Sequence, residues 1–134
     1  MVHQKTEKQE MEEKRLWFAC EDGNVKKVRE LLKNSQINTN WHDSESSRTP
    51  FYIACQEGHI EIMKLLLNDN RIDINKVGKY GETPIYIACE KGHIEVVKLL
   101  LKDQKIDTNK ANNRRITPLY TACERGHIEI VKLL

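Results

Sequence analysis

The chain has 134 residues, 22 basic and 20 acidic, for a formal charge of +2; 39% are hydrophobic and 31% charged. That length suits one ordinary domain, and that apolar share covers a thin layered core rather than a thick globular one. Near-balanced charge removes any general pull toward nucleic acid or anionic membrane, and no apolar run reaches the roughly 18 residues of a membrane span.

Residues 1–15 are dense in Lys, Glu and Gln, which excludes a secretory leader there, because a leader needs an apolar stretch. The composition points to the cytosol or nucleus, where thiols stay reduced. Within this stretch, Glu7–Arg15 is charged and helix-favouring. It reads as a solvated helical lead into the rest of the chain, or else as a separate docking element. Next comes Ala19-Cys20-Glu21-Asp22-Gly23-Asn24-Val25, which returns as Ala54-Cys55-Gln56-Glu57-Gly58-His59-Ile60 at an offset of 35. From Thr49 onward the offset is 34: Thr49-Pro50, Thr83-Pro84 and Thr117-Pro118 recur, as do Gly58-His59-Ile60, Gly92-His93-Ile94 and Gly126-His127-Ile128. Between Thr83–Leu100 and Thr117–Leu134, 14 of 18 positions are identical. Such periodicity is the mark of a stacked-repeat architecture. The one additional residue in the first interval falls within Trp41–Arg48, which marks that stretch as a loop tip where length is tolerated.

Each unit predicts two helices. Thr83 is a good N-cap, Pro84 suits the first helical position, and Gly92 can take the left-handed conformation that closes a helix near Lys91. A second helix is expected from about Ile94 to Leu101. Ile94, Val96, Val97, Leu99, Leu100 and Leu101 cover a wide arc of it, while Glu95 and Lys98 form a solvent stripe and can pair at i, i+3. A helix apolar over most of its girth needs cover on several sides, which stacked neighbours provide. After it, Arg71-Ile72-Asp73-Ile74-Asn75 and Lys105-Ile106-Asp107-Thr108-Asn109 lead into the polar turns Lys76–Glu82 and Lys110–Ile116.

These residues resemble the ankyrin-repeat family, whose signature runs Thr-Pro-Leu-His-x-Ala, Gly-His, Val-x-x-Leu-Leu and an Asp-Val-Asn-like close. The openings here are Thr-Pro-Phe-Tyr-Ile-Ala at 49–54, Thr-Pro-Ile-Tyr-Ile-Ala at 83–88 and Thr-Pro-Leu-Tyr-Thr-Ala at 117–122. The resemblance covers roughly residues 16–134 and implies an all-α solenoid of stacked helix-turn-helix units with projecting β-turn or hairpin loops. The units run about 9–43, 44–77, 78–111 and 112–134, the first acting as a cap and the last incomplete, with 1–15 as the lead-in. Two departures stand out. Tyr52, Tyr86 and Tyr120 replace the family's His, which helps tie the Thr hydroxyl to the turn, so that network is expected to rearrange. The period is 34 rather than the commoner 33. The apolar end Leu133-Leu134 lacks the polar outer face of a cap, so the chain is expected to belong to a longer array, with self-association through that end as a further outcome.

Cys20, Cys55, Cys89 and Cys123 share one repeat position just after the alanine of the first helix. Helices stacked about 10 Å apart place such cysteines beyond the roughly 7 Å that a disulfide spans, so a ladder of small buried side chains is expected. The recurring Cys-x-x-x-Gly-His invites zinc, but ligands of one ion lie within about 4 Å of one another and equivalent positions of stacked repeats do not. Periodic Cys and His also argue against a nucleophile pair, since a catalytic group is needed once and a packing group in every unit. Phosphate-loop, HExxH, CxxC and GxSxG motifs are absent from the sequence. The expectation is a non-enzymatic chain with no cofactor and no metal.

The resemblance implies partners on the concave side, across the turn tips and the exposed positions of the first helices. The candidates are Glu45, Ser46, Arg48, Gln56 and Glu57 in the second unit, and Lys79, Tyr80, Glu82, Glu90 and Lys91 in the third. Asn113, Arg114, Ile116, Glu124 and Arg125 follow in the fourth, with Glu21 and Asp22 in the first. Trp41–Arg48 carries two acids and one base, Lys76–Glu82 two bases and one acid, and Lys110–Ile116 three bases and no acid. Such a gradient orients a partner and speeds its encounter, and an acidic patch meeting the third and fourth tips is expected. Tyr80, Trp41 and Ile116 are apolar groups near tips, suited to anchoring. The function expected is a protein-binding scaffold. The alternative is a regulatory or targeting segment of a larger enzyme or channel. Three basic residues on one tip, Lys110, Arg114 and Arg115, are too few for strong binding of nucleic acid, and membrane insertion is not expected.

Overall fold

The computed structural model describes residues 4–134, so the first three residues of the charged lead-in lie outside it. Eight helices and no strand occur among the described residues: α1 (Glu7–Asp22), α2 (Val25–Leu32), α3 (Pro50–Glu57), α4 (Ile60–Leu67), α5 (Pro84–Lys91), α6 (Ile94–Leu101), α7 (Pro118–Glu124) and α8 (Ile128–Leu133). Each odd helix packs on the even helix after it, and the pairs stack in chain order. The odd helices form one layer and the even helices a second, looser one. This is an all-α repeat solenoid.

The openings work as their residues demand. Thr49, Thr83 and Thr117 are N-caps with extended backbone, each followed by proline in the first turn. Their hydroxyls accept the amides of Tyr52, Tyr86 and Tyr120 at 3.1, 3.1 and 3.2 Å. With tyrosine in the place of histidine, the threonine hydroxyl is held by the backbone of its own helix. α1 is capped differently: Thr6 and Gln9 form a reciprocal capping box, with bonds of 3.1 and 2.9 Å. The helix then runs unbroken through Arg15, so the charged segment and the first unit share one helix. On its inner side Glu13 is fully buried, taking the ammonium of Lys5 at 2.7 Å and the amide of Asn38.

Two side-chain stitches recur from repeat to repeat. His59, His93 and His127 stand at the N-cap positions of the even helices, but their side chains do not cap them. Each Nε2 instead meets a carbonyl of the preceding repeat's odd helix: Glu21 at 3.0 Å, Gln56 at 2.8 Å and Glu90 at 3.1 Å. A carbonyl only accepts, so Nε2 carries the proton. The ring lies close against the preceding repeat's glycine, and a Cβ on Gly92 would come within 2.7 Å of His127 Cε1. Gly92 is therefore required by close approach as well as by its φ of 77°. On the other side of the stack, Asn40 and Asn75 each donate to a carbonyl of the next repeat, Arg71 and Lys105, both at 2.7 Å. Each also accepts an amide from that repeat, Asp73 at 2.8 Å and Asp107 at 2.9 Å.

Two expectations need correction. In the two inner units the more enclosed helix is the first, not the second: Pro50–Cys55 and Pro84–Cys89 are buried without interruption, whereas Ile94, Leu99 and Leu101 on α6 are only half-buried. The odd helices pack more closely along the stack than the even ones do, which leaves the even helices partly open outward. The cysteine ladder is also incomplete. Cys20, Cys55 and Cys89 are buried free thiols, but Cys123 is exposed because α7 has a neighbour on one side only. Only Pro118, Thr121 and Ala122 of α7 are buried.

Candidate partner-binding face

The turns between repeats are compact. Gly78 N–H donates to the Glu82 carbonyl and Asn112 N–H to the Ile116 carbonyl, each at 2.9 Å, closing the third and fourth tips. Adjacent tips are joined by one backbone bond each: Lys79 N–H to Ser46 O and Asn113 N–H to Tyr80 O, both at 2.9 Å. The tips thus form a row held along the stack without becoming a sheet. Side chains finish two of them. Asn112 Oδ1 accepts the amides of Arg114 and Ile116 at 2.9 and 3.0 Å. Asp43 takes the amides of Ser46 and Arg48 at 2.8 and 3.0 Å together with the Ser46 hydroxyl. Partial burial works against the Asp43 carboxylate, but those Ser46 and Arg48 donors prevail and hold its pKa below the usual value.

Between this row and the odd helices lies a cleft of about 390 Å³. It gathers six of the expected contact residues: Arg48, Tyr80, Glu82, Glu90, Arg114 and Ile116. Tyr80 is 62% exposed, on the rim, with the Lys79 ammonium 5.7 Å from its ring centroid. Glu82 is different from what the sequence implied, because it is only 7% exposed. Its carboxylate lies over Gly78, where a Cβ would come within 2.8 Å of Oε1. The floor is Tyr52, whose ring has the Arg48 guanidinium 5.7 Å from its centroid. Burial, reinforced by the nearby Glu82 charge, pushes the Tyr52 phenol far above its ordinary pKa, and burial also raises that of Tyr86. Both phenols stay neutral and able to donate.

The other candidates lie elsewhere. Gln56, Glu57, Lys91, Glu124 and Arg125 sit at the C-terminal ends of the odd helices, outside this cleft, with Arg125 3.8 Å from Glu90 in an ion pair. Lys79 and Asn113 are exposed on the tips. Glu45 and Glu21 line a second cleft, between α1 and the first tip. Asp22 is exposed at the end of α1. Sequence reasoning missed Tyr52, Tyr86, Ile87 and Asn112 as cleft walls. A signal for the tyrosines was present: Trp17, Tyr52, Tyr86 and Tyr120 share one repeat position, a run of aromatic side chains along the stack.

The family model described as ankyrin repeats (3 copies) matches residues 2–78 and 70–134, nearly the whole chain. The chain belongs to the ankyrin-repeat family. No curated protein matches it. Ankyrin repeats are generally protein–protein interaction modules and their fold is typically non-catalytic. Among the described residues of this ankyrin stack no helix is long and apolar enough to cross a membrane.

Proposed function

We propose that this chain is a binding scaffold without enzymatic activity, whose turn tips and odd helices hold a partner protein. The observation that carries the reading is the cleft that joins Arg48, Tyr80, Glu82, Glu90, Arg114 and Ile116. It combines an exposed aromatic rim with charged walls, and aromatic and arginine side chains are the commonest anchors of protein interfaces. The third and fourth tips bring Lys79, Arg114 and Arg115 to the surface, all exposed. An acidic patch on the partner complements them and accelerates its encounter.

The test is capture from native lysate by the parent chain and by a Tyr80→Ala/Arg114→Glu/Arg115→Glu variant with an unchanged helical spectrum. A protein retained by the parent and lost by the variant is the expected result, with an association rate that falls as salt rises. Equal recovery from both, or a rate indifferent to salt, overturns the assignment.

A further inference from the structure

The cleft at the N-terminal end of the stack has a chemistry of its own. It encloses about 550 Å³ between α1 and the first tip. Three of its walls are aromatic: Trp17, Phe18 and Trp41. Trp17 donates its indole N–H to the Arg48 carbonyl at 2.8 Å, which fixes the ring. Phe18 packs edge-on against it, centroids 5.2 Å apart and planes at 80°, yet remains 55% exposed. Trp17, Phe18 and Trp41 thus line one cleft together, and it is grouped rather than scattered apolar side chains that mark an interaction site.

The charge around these rings is one-sided. Three carboxylates line the cleft, Glu21, Asp43 and Glu45, against one ammonium, Lys14, and the imidazole of His42. Asp43 is committed to its own turn by the amides of Ser46 and Arg48. Glu21 and Glu45 have no ion-pair partner among the described residues. Aromatic faces attract a cation through the ring quadrupole, and neighbouring carboxylates add a bidentate acceptor for a planar donor.

We infer that this cleft receives an arginine side chain from the partner protein, with the guanidinium against the aromatic rings and its N–H groups toward Glu21 and Glu45. Arginine fits better than lysine because its flat, weakly hydrated head stacks on rings and forks onto carboxylates. The inference rests on the tips and odd helices being the binding face and adds a direction to it. The partner lies with a basic anchor at the first two repeats and its acidic patch at the last two.

Nuclear magnetic resonance on the full chain tests this with N-acetyl-arginine amide as the probe and N-acetyl-citrulline amide, its uncharged near-isostere, as the comparison. Saturable shifts of the Trp17 and Trp41 indole N–H signals are expected from the arginine compound, with the citrulline compound at least about 5-fold weaker. Glu21→Gln/Glu45→Gln is expected to weaken arginine binding by about 5- to 10-fold at low salt, and Phe18→Ala to weaken it similarly, with helical spectra unchanged. The absence of a saturable shift, equal binding of citrulline, or indifference to the glutamine pair overturns the inference. So does binding that emerges only after Lys14→Gln, since the chain's own ammonium then fills the cleft. The titration reads this end alone, so its failure and a failure of capture by the Tyr80 and Arg114 variant are separate results.

Discussion

Ser47, Gly81 and Arg115 stand at one repeat position, and all three hold a left-handed backbone, with φ of 57°, 78° and 64°. A side chain in that conformation costs about 1–2 kcal/mol, which glycine avoids at the expense of greater freedom when unfolded. Gly81 has a second constraint, because a Cβ there would collide with Asn113 Oδ1 on the next tip. Gly81→Ala is therefore expected to destabilise the fold by about 1–3 kcal/mol. Arg115→Gly is expected to stabilise it by roughly 0.5 kcal/mol, the conformational relief outweighing the added chain entropy. Urea melts of the two variants check both signs. A stabilised Gly81→Ala would mean that the tips are not held against one another as the Asn113 to Tyr80 bond requires.

At the scale of elements, Arg71 ties the second repeat back to the end of α2. Its guanidinium grips Asp69 at 2.9 and 2.7 Å and donates to the carbonyls of Asn34 at 2.9 Å and Leu32 at 2.8 Å. It thereby satisfies free carbonyls at the end of α2 from the following repeat. Arg71→Ala is expected to lower stability by about 1–3 kcal/mol. The Arg71 hydrogen bond holds the Asp69 carboxyl below its ordinary value of 3.8. A depressed acid contributes stability above its unfolded pKa and loses it as pH falls through the folded one. Melts of the parent should thus weaken below about pH 4, and Arg71→Ala should shrink that acid-side loss. An unchanged acid limb would show the pair to be thermodynamically silent. Much of this architecture was legible in the sequence: Thr-Pro caps, glycine stops and the Glu95–Lys98 pair follow from local rules and stand where the period puts them, the pair at 3.4 Å. The histidine and asparagine stitches were not, because a side chain that bonds a carbonyl 37 residues away leaves no local mark. Glu82 was misjudged for the same reason, since its burial depends on Gly78 and Tyr52 rather than on its neighbours in sequence. The clefts needed the structure because each is shared between one repeat's helix and another's tip.

For the whole molecule, carboxylates gather around Trp17 and Phe18 and basic residues at the tips of Lys79, Arg114 and Arg115, so the two clefts differ in the charge around them. The stack itself is equally uneven. Gly23, Gly58 and Gly92 are each covered by the histidine of the next repeat, while Gly126 has open space around it. Leu119 and Tyr120 are 44 and 58% exposed, against complete burial of Phe51 and Tyr52 at the same positions of the second repeat, and Ile128 is 65% exposed where Ile60 and Ile94 are half-buried. A quasi-linear array loses structure where a unit has one neighbour rather than two. In this chain the amide protons of α7 and α8 should exchange with deuterium well before those of α3 and α5. Mass spectrometry of the exchanged peptides would show a gradient along the stack, and uniform protection would mean that the four repeats open as one. A unit with neighbours on both sides holds its shape longest, so a partner seated over Tyr52 and Tyr86 would outlast one seated on Tyr120.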